Sequence, residues 1–408
     1  MIGGIALTAA AAASNIAHGT ASTSSTIGTN TATVTTVVSD EQQQQLPVLI
    51  VGAGPCGLVA AATLQKHGIP FVIIEKASRS KICSNAGAGF ELASTAIGIL
   101  RDRLSIDPSK IMSEYVGMAM MTLGNRNIRD SRLPGRMSLA SVNRAEMQKH
   151  LLDEVLFSGV GPKKEQEEDG VLICGSGIDS YREEEDGRVV ATLVSDSDDT
   201  DHNKKTIVGC ALLACDGIHS RCRAVMHSSD SGSNDNDYDY DPLHFCNAIY
   251  YWGKTPVPDG SELEKEFLKT QKYHKEGCSA VIAVGTSNIP GAFFLIPTKN
   301  STVLVWGVVV RSKEPPTRND TSSSLLTQNN NDSTRRGGGV LTEEGKERLF
   351  PSGSSSSILG RGNSLPILRK LIEHTPANDI TEAGLFDREN IDLPYSSPKK
   401  LVALLGGE

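Results

Sequence analysis

The segment that most constrains the fold spans residues 46–75 and reads LPVLIVGAGPCGLVAAATLQKHGIPFVIIE. Its apolar run 46–51 is typical of a strand buried on both faces of a parallel sheet. A glycine-rich turn follows, and the next residues predict a helix over 56–67 that stops at Gly68. A second strand over 70–74 then ends at Glu75. This order predicts one strand–turn–helix–strand unit of an α/β fold.

Each residue of the turn has a physical reason to be there. Gly52 allows the tight turn, Gly54 lets the backbone approach a pyrophosphate, and Gly57 lets the helix lie close to the strand. Pro55 suits a first helical turn, where its missing N–H costs nothing. We therefore expect the positive end of the helix, with Cys56 in its first turn, to bind the phosphates of a dinucleotide.

The acid that ends the second strand indicates which nucleotide is bound. The Glu75 carboxylate, followed by Lys76, can accept both hydroxyl protons of a ribose and would repel a 2′-phosphate. An ordinary strand–helix turn is the alternative reading of a lone glycine triplet. The strand before the turn, the helix after it and the acid about 20 residues on together favour dinucleotide binding.

Composition limits the remaining possibilities. The chain has 408 residues, which is enough for one large or two moderate domains with a sizeable core. Its formal net charge of −8, without a lysine- or arginine-rich run, argues against a nucleic-acid partner. The eight cysteines form no C-x-x-C pair and are interpreted mainly as small buried hydrophobes.

Several polar stretches carry little that a core could bury. Residues 1–45 are interpreted as a disordered tail or a cleaved targeting segment, and the compartment, cytoplasmic or organellar, stays open. The opening apolar run is too short to span a bilayer. Surface insertions are predicted at 195–205, 228–241, 317–339 and 352–363.

A second motif, ALLACDGIHSRCR, occupies residues 211–223. Its apolar start predicts a strand, and Asp216-Gly217 follows at the carboxyl end, where open α/β sheets bind ligands. The next residues predict a helix start that carries Ser220, Arg221 and Arg223. Taken alone, an Asp-Gly pair is usually only a turn, whereas D-G-x-x-S-x-x-R after a strand is more specific.

These two motifs, in this order, resemble those of the FAD-dependent monooxygenases that share a fold with p-hydroxybenzoate hydroxylase and salicylate hydroxylase. The resemblance implies an α/β fold: a Rossmann-like FAD-binding domain of the glutathione-reductase type with an inserted, mostly antiparallel β-sheet substrate domain. It also implies that Glu75 holds the adenosine ribose of FAD and that Asp216 and Gly217 contact its ribityl or pyrophosphate part. Arg221 and Arg223 are left open as contacts of either cofactor or of neither.

Two further segments are similar to the same family. Residues 87–100, GAGFELASTAIGIL, match a family stretch in which asparagine often stands at Thr95. Residues 141–152, SVNRAEMQKHLL, match its R-x-x-L helix start, with Met147 in place of leucine. The resemblance implies that Arg144 reaches the flavin nucleotide. The alternative is an exposed arginine at a helix start.

The resemblance divides the chain into an FAD-binding part at 46–230, a substrate domain at 243–372 and a return segment at 380–408. Strands are predicted in the substrate domain at 244–252, 279–286, 292–297 and 302–310. Aromatic residues on them are candidates for the substrate pocket or for the core: Tyr250, Tyr251, Trp252, Phe293, Phe294 and Trp306.

The family's third motif is matched only in part. Residues 401–405 predict its strand, and Gly407 stands where the family has aspartate. We therefore expect a C-terminally truncated cradle for the flavin ring and an impaired activity. Asp387-Arg388 matches an upstream family pair, with a surface ion pair as the alternative.

The resemblance implies an enzyme that uses FAD, NAD(P)H and O2 to insert one oxygen atom into an aromatic or isoprenoid small molecule. A non-oxygenating flavin reductase of the same fold and an inactive nucleotide-binding remnant are the alternatives. The sequence identifies no catalytic acid or base and no metal ligands. It also provides no clear membrane segment.

Overall fold

A computed structural model describes most of the chain from residue 46 onward. The described residues are 46–83, 89–115, 117–122, 128–132, 139–157, 171–195, 205–227, 243–258, 260–263, 265, 278–284, 292–297, 303–316, 338–349, 366–388 and 393–406. The predicted N-terminal segment 1–45, most of each predicted polar insertion and Gly407 lie outside them.

The strands of the described residues are numbered in chain order. They are β1 (Val48–Val51), β2 (Phe71–Glu75), β3 (Gly89–Ala93), β4 (Met112–Tyr115), β5 (Gly117–Thr122), β6 (Ile128–Arg132), β7 (Leu139–Asn143), β8 (Leu172–Cys174), β9 (Ser176–Glu183), β10 (Val189–Ser195), β11 (Thr206–Gly209), β12 (Ala211–Ala214), β13 (Leu243–Pro256), β14 (Cys278–Val284), β15 (Ala292–Pro297), β16 (Val303–Arg311), β17 (Gly338–Val340), β18 (Ile380–Arg388) and β19 (Val402–Leu404).

The helices are numbered in the same way. They are α1 (Pro55–Lys66), α2 (Arg79–Ile82), α3 (Ser94–Gly98), α4 (Arg144–His150), α5 (Arg221–His227), α6 (Glu343–Leu349) and α7 (Pro366–His374). Helices α3 and α4 continue as π-helical turns at Ile99–Arg103 and Leu151–Leu156, and 3₁₀ turns occur at Pro108–Lys110 and Ala377–Asp379. No helix in the described part of the chain is long and apolar enough to cross a bilayer.

A five-stranded parallel sheet forms the centre of the first half, in the order β19-β12-β1-β2-β8. Strand β1 lies in the middle, and none of its four side chains is more than 4% exposed. Such burial on both faces is the reason for its unbroken apolar sequence. The structure confirms four predicted strands: the one before the glycine turn, the one after α1, the one at 211–214 and the one near the carboxyl end.

The two faces of this sheet are covered differently. One face packs against α1 and α4, with Leu58 and Met147 in the shared core. The other packs against the antiparallel sheet β9-β10-β11, through residues such as Ile178 and Val189. Helix α1 ends where predicted, since Gly68 has a φ of +66° and Ile69 N–H donates to Leu64 O. The predicted α/β architecture is therefore confirmed.

The second half is built on an eight-stranded sheet in the order β17-β18-β13-β16-β15-β14-β5-β6. All its pairings are antiparallel except that of β14 with β5. The predicted range 243–372 contains five strands of this sheet, while β5 and β6 come from earlier in the chain and β18 from later. Strands distant in sequence can pair in one sheet, and such pairing leaves no local signal.

One side of this sheet, the α7 side, is a sealed core. Trp306 is 0% exposed, and its indole N–H donates to Thr255 Oγ1 and Thr375 Oγ1 at 3.1 and 3.0 Å. Thr255 Oγ1 lies 3.3 Å from Leu371 O of α7, close enough to donate a hydrogen bond to it. Nearby, the Tyr251 hydroxyl donates to a Glu382 carboxylate oxygen at 2.6 Å, and Glu382 is only 5% exposed.

The buried Glu382 predicts a pH-dependent stability. Burial raises the pKa of this carboxyl, although its hydrogen bond with Tyr251 partly opposes the rise. The folded state thus holds the Glu382 proton more tightly than the unfolded state, so the contribution of this group to stability is greatest at low pH and is lost as pH rises through the folded pKa. Glu382→Gln keeps the acceptor and cannot ionise. Relative to the parent, it should gain about 1–3 kcal/mol in free energy of unfolding between about pH 4 and pH 7.

Urea unfolding of both proteins at the two pH values measures this difference. Glu344→Gln, at an exposed position on α6, is the matched control and should track the parent at both pH values. The prediction is contradicted if the free energy of unfolding of Glu382→Gln differs from that of the parent by the same amount at both pH values.

Candidate cofactor site

Three turns meet at one edge of the parallel sheet. They are the glycine turn after β1, the Asp216-Gly217 turn after β12 and the turn at Gly406 after β19. These strands are parallel neighbours, so their carboxyl ends share an edge, which is where open α/β sheets bind ligands. A Cβ on Gly406 would lie 3.4 Å from Cys56 Sγ, so the third turn reaches the start of α1. We call this edge the three-turn edge.

The glycine turn is fixed by close backbone contacts. Gly52 has a φ of +101°, and a Cβ there would overlap the Cys215 carbonyl oxygen. A Cβ on Gly57 would overlap the Gly52 carbonyl oxygen. Both positions therefore require glycine, which confirms the sequence-based reasons for a tight turn and for close packing of α1.

Gly54 is different, because it faces open space. A Cβ there would have no atom of the described residues within 4 Å. Gly54 is also the N-cap of α1, Pro55 occupies the first helical turn, and no described side chain caps the helix. The backbone N–H groups of the first turn thus face a space that can hold an anion. This fits the pyrophosphate position predicted for Gly54, Pro55 and Cys56.

Glu75 holds the glycine turn from the side of β2. One carboxylate oxygen accepts from Ala53 N–H at 2.7 Å and the other from Ala77 N–H at 2.8 Å. Each oxygen can accept a second hydrogen bond, which leaves capacity for the hydroxyls of a ribose. The neighbouring Lys76 is exposed, and its Cβ lies 3.8 Å from the place that a Cβ on Gly177 would take. Ribose binding by Glu75 and cofactor contact by Lys76 stay predictions.

A residue that the sequence reasoning missed holds the other side of the turn. Gln148, only 4% exposed, donates from Nε2 to Ala53 O at 3.0 Å. Arg144 Nε donates in turn to Gln148 Oε1 at 3.0 Å. Arg144 is exposed at the start of α4, so its described contact supports Gln148, while contact with a flavin nucleotide stays a prediction. The four-residue spacing of Arg144 and Gln148 on one helix was the available signal.

Asp216 organises the second turn. Its Oδ1 accepts from Ser220 Oγ at 2.6 Å, and its Oδ2 accepts from the backbone N–H groups of Arg221 and Cys222 at 2.8 and 3.2 Å. Gly217, with a φ of +77°, provides the left-handed turn, and a Cβ there would meet nothing within 4 Å in the described residues. The aspartate and serine of the motif therefore cap α5.

The basic residues after this turn have partners in the protein. Arg221 Nε donates to Asp179 O at 2.7 Å, and Arg223 is 3% exposed and lies over the Tyr395 ring. Arg388, which the sequence paired with Asp387, donates to Ile218 O at 2.7 Å and so secures the Asp216-Gly217 turn from β18. Asp387 instead lies 3.1 Å from His244 Nδ1.

Two thiols also meet at the three-turn edge. Cys56 Sγ lies 3.7 Å from Cys215 Sγ, although the two residues are 159 positions apart in the chain. The backbone carbonyl of Cys215 packs against Gly52, and Cys215 is only 7% exposed. The hydrogen bond with Cys215 lowers the pKa of the Cys56 thiol, against its burial, whereas the pKa of Cys215 is raised by the same contact and by burial.

Residues 45–241 match the protein family described as FAD binding domain. The match contains every position predicted to contact the cofactor, from Gly52 to Gly217. Residues 45–241, just under half of the chain, are similar to that family, and we refer to them as the FAD-binding domain. The open space at Gly54 and the uncapped start of α1 fit the diphosphate of such a cofactor.

Solved structures share the fold of the chain at low sequence identity. CtdE in complex with FAD and substrate 4 has a TM-score of 0.59 and 15% identity, covering 89% of this chain and 74% of CtdE. A protein assigned as an FAD-containing monooxygenase from Photorhabdus luminescens subsp. laumondii TTO1 has a TM-score of 0.55 and 18% identity, covering 89% and 81%. A single-residue variant of HpxO from Klebsiella pneumoniae, complexed with FAD, has a TM-score of 0.56 and 15% identity, covering 89% and 74%. No curated protein matches the sequence. The chain therefore shares the fold of these FAD-containing proteins.

The FAD-binding domain faces the eight-stranded sheet on the side opposite α7, which we call the domain-facing side. Val305 methyl groups would lie 3.7 and 3.8 Å from a Cβ on Gly89 of β3. Successive side chains of a strand point to opposite faces of the sheet. Because Tyr251, Thr255 and Trp306 lie in the sealed core, the opposite, domain-facing side carries Tyr250, Trp252, Lys254 and Gly307. The Tyr250 and Trp252 rings stack with centroids 5.2 Å apart, and a Cβ on Gly307 would overlap the Tyr250 ring.

The six aromatic candidates for the substrate pocket therefore separate into groups. Tyr250 and Trp252 lie on the domain-facing side. Tyr251 and Trp306 lie on the α7 side in the sealed core, so their interpretation as pocket residues is wrong and the alternative, core packing, holds. The side chains of Phe293 and Phe294 lie outside the described residues.

Lys254 is an unexpected residue on the domain-facing side, because it is charged and only 6% exposed. Burial lowers its pKa to about 8, while Glu146 and Asp379 act in the opposite direction and Arg144 acts in the same direction. Glu146 and Arg144 belong to α4 of the FAD-binding domain, so Lys254 lies where the two halves of the protein meet. Sequence reasoning missed it because a lysine in a strand is usually solvated.

The different surroundings of two glycines give a test of the site. Gly54 has an extended backbone, with a φ of −69°, and open space at its Cβ position, so Gly54→Val should fold as the parent does. Its side chain would fill the space for the diphosphate and raise the Kd for FAD about 100-fold, roughly 2.7 kcal/mol. Fluorescence titration of apoprotein with FAD measures the affinity, and thermal unfolding measures the stability.

Gly57→Val is the matched comparison. Its Cβ would overlap Gly52 O, so it should lower the melting temperature as well as flavin content. Unchanged FAD affinity in a stably folded Gly54→Val protein contradicts the assignment of the diphosphate position.

Proposed function

We propose that this protein is an FAD-dependent monooxygenase that uses NAD(P)H and O2 to insert one oxygen atom into a small organic substrate. The observation that carries the proposal is the combination of an FAD-binding domain with a large, mostly antiparallel sheet whose domain-facing side packs against that domain. The fold is shared with a protein assigned as an FAD-containing monooxygenase, which supports the same class of activity here.

In this proposal FAD supplies the redox and oxygen chemistry, and the protein binds, orients and excludes water. The glycine turn and the start of α1 hold the diphosphate, and Glu75 holds the adenosine ribose. Gln148 acts indirectly, since it fixes the glycine turn. Asp216 fixes the second turn, and its contact and that of Gly217 with the ribityl or pyrophosphate part of FAD stay predictions. Burial of the reacting atoms between the two halves of the protein limits the access of water.

The domain-facing side favours an aromatic substrate that carries a negative charge. The stacked Tyr250 and Trp252 rings present flat apolar surface, which suits a planar ring. The nearby Lys254 ammonium is buried, and a buried charge attracts an opposite charge strongly because water screens it little. An aromatic carboxylate or phenolate satisfies both features, and an uncharged isoprenoid satisfies neither.

The activity is tested by following NAD(P)H and O2 together. Purified protein, loaded with FAD, is screened against aromatic acids and phenols under ¹⁸O₂. A monooxygenase should consume O2 with NAD(P)H in a substrate-dependent manner and leave one labelled oxygen atom in the product. Substrate-dependent NAD(P)H oxidation without label in the product identifies a flavin reductase, and loss of FAD on gel filtration identifies an inactive remnant. Either result overturns the proposal.

The proposed role of Lys254 predicts a pH-dependent affinity for the substrate. Because its pKa is about 8, the ammonium is charged at pH 7 and loses its proton as pH rises towards 9. The KM for an anionic aromatic substrate should therefore rise about tenfold over this range, and kcat should change less. Lys254→Met should have the high KM at both pH values.

An uncharged analogue of the same substrate is the control, and its KM should be insensitive to pH and to Lys254→Met. Lys265→Met, at an exposed position on the surface, is the matched variant and should behave as the parent does. If the anionic substrate keeps its low KM in Lys254→Met, Lys254 does not recognise the charge.

A further inference from the structure

The thiol groups of Cys56 and Cys215 have no role in the proposed function. Their sulfurs lie 3.7 Å apart and connect the start of α1 to the segment between β12 and Asp216. Both residues belong to turns of the three-turn edge. A chemical link between them would therefore act directly on the geometry of FAD binding.

The two thiols differ in a way that assigns them different roles. Cys56 is half-buried, lies in the first turn of α1, and its pKa is lowered by the contact with Cys215. A helix start stabilises a thiolate, the form that attacks oxidants. Cys215 is 7% exposed, and its raised pKa keeps it protonated. An oxidant from solvent should thus meet Cys56 first.

We propose that Cys56 and Cys215 are a peroxide-responsive thiol pair that closes to a disulfide and lowers the affinity for FAD. The oxidant is hydrogen peroxide. The Cys56 thiolate attacks one peroxide oxygen, the O–O bond breaks, and the departing hydroxide takes up a proton to become water, which leaves a sulfenic acid on Cys56.

Cys215 completes the reaction. Its sulfur attacks the Cys56 sulfur, the S–O bond breaks, and the Cys215 thiol proton joins the departing hydroxide as a second water. Overall, two thiols and one peroxide become one disulfide and two waters. Sulfur is oxidised and peroxide oxygen is reduced, so no further reactant is needed.

The surrounding backbone explains why the disulfide should affect the cofactor. A disulfide needs a sulfur–sulfur distance of about 2.05 Å, so the two sulfurs must approach by roughly 1.7 Å. Gly52 packs so closely on the Cys215 carbonyl oxygen, and Gly57 so closely on the Gly52 carbonyl oxygen, that neither position has space for a Cβ. This packing leaves little freedom to the backbone, so we expect the approach to shift the glycine turn relative to the Asp216-Gly217 turn.

Because binding couplings are reciprocal, bound FAD should oppose disulfide formation as the disulfide opposes FAD. This coupling rests on the proposed function only through FAD binding. Disulfide formation itself needs neither NAD(P)H nor a substrate, so it is tested separately from the monooxygenase activity.

The experiment uses the full chain with FAD and after removal of FAD. Each form is treated with hydrogen peroxide, quenched with an alkylating agent and digested without reductant. Mass spectrometry then quantifies the peptide that links Cys56 to Cys215. We expect the equilibrium constant for the link, measured in a dithiothreitol redox buffer, to be about tenfold higher without FAD, and the oxidised protein to bind FAD about tenfold more weakly. Excess dithiothreitol should reverse both effects.

Three variants assign the chemistry. Cys215→Ser should stop at an oxidised Cys56 without a link, and Cys56→Ser should leave Cys215 reduced. Cys246→Ser removes an exposed thiol on β13 and should form the link as the parent does. Absence of the link when Cys246 of the parent is fully oxidised overturns the proposal. So does an equilibrium constant for the link that is the same with and without FAD, or a peroxide-induced loss of FAD affinity that persists in Cys56→Ser and Cys215→Ser.

Discussion

The close approach of β1 to β12 at their carboxyl ends determines the rest of the cofactor site. Gly52 lies against the Cys215 carbonyl oxygen, and Gly57 lies against the Gly52 carbonyl oxygen. Any side chain at these two positions would separate the strand, the helix and the neighbouring strand. The contact also brings the glycine turn and the Asp216-Gly217 turn together.

Polar side chains then hold this backbone arrangement in place. Glu75 and Gln148 bind Ala53 from opposite sides, through its N–H and its carbonyl. Asp216 does the same for the second turn by accepting from two backbone N–H groups of α5. The side chains fix the turns, and the turns present the backbone. A site of this kind is preorganised, so little conformational entropy is lost when a ligand binds.

Local patterns predicted the local structure well. The strands at 48–51, 71–75, 211–214 and 402–404, helix α1 and the stop at Gly68 follow from apolar runs and glycine positions that act over a few residues. Gln148 was missed because its importance depends on Ala53, far away in the chain. The pairing of β5 with β14 was missed for the same reason, since register between distant strands leaves no local signal.

The two sheets divide the work of the protein between backbone and side chains. The parallel sheet supplies backbone groups that few residue types can replace, because Gly52 and Gly57 have no space for a side chain. The domain-facing side of the other sheet supplies side chains, and its strands keep their hydrogen bonds whatever residues they carry. Under the proposed function, substitutions at Tyr250, Trp252 or Lys254 should therefore alter the choice of substrate while the FAD-binding turns stay intact. Such a separation lets one fold combine a constant cofactor with different substrates.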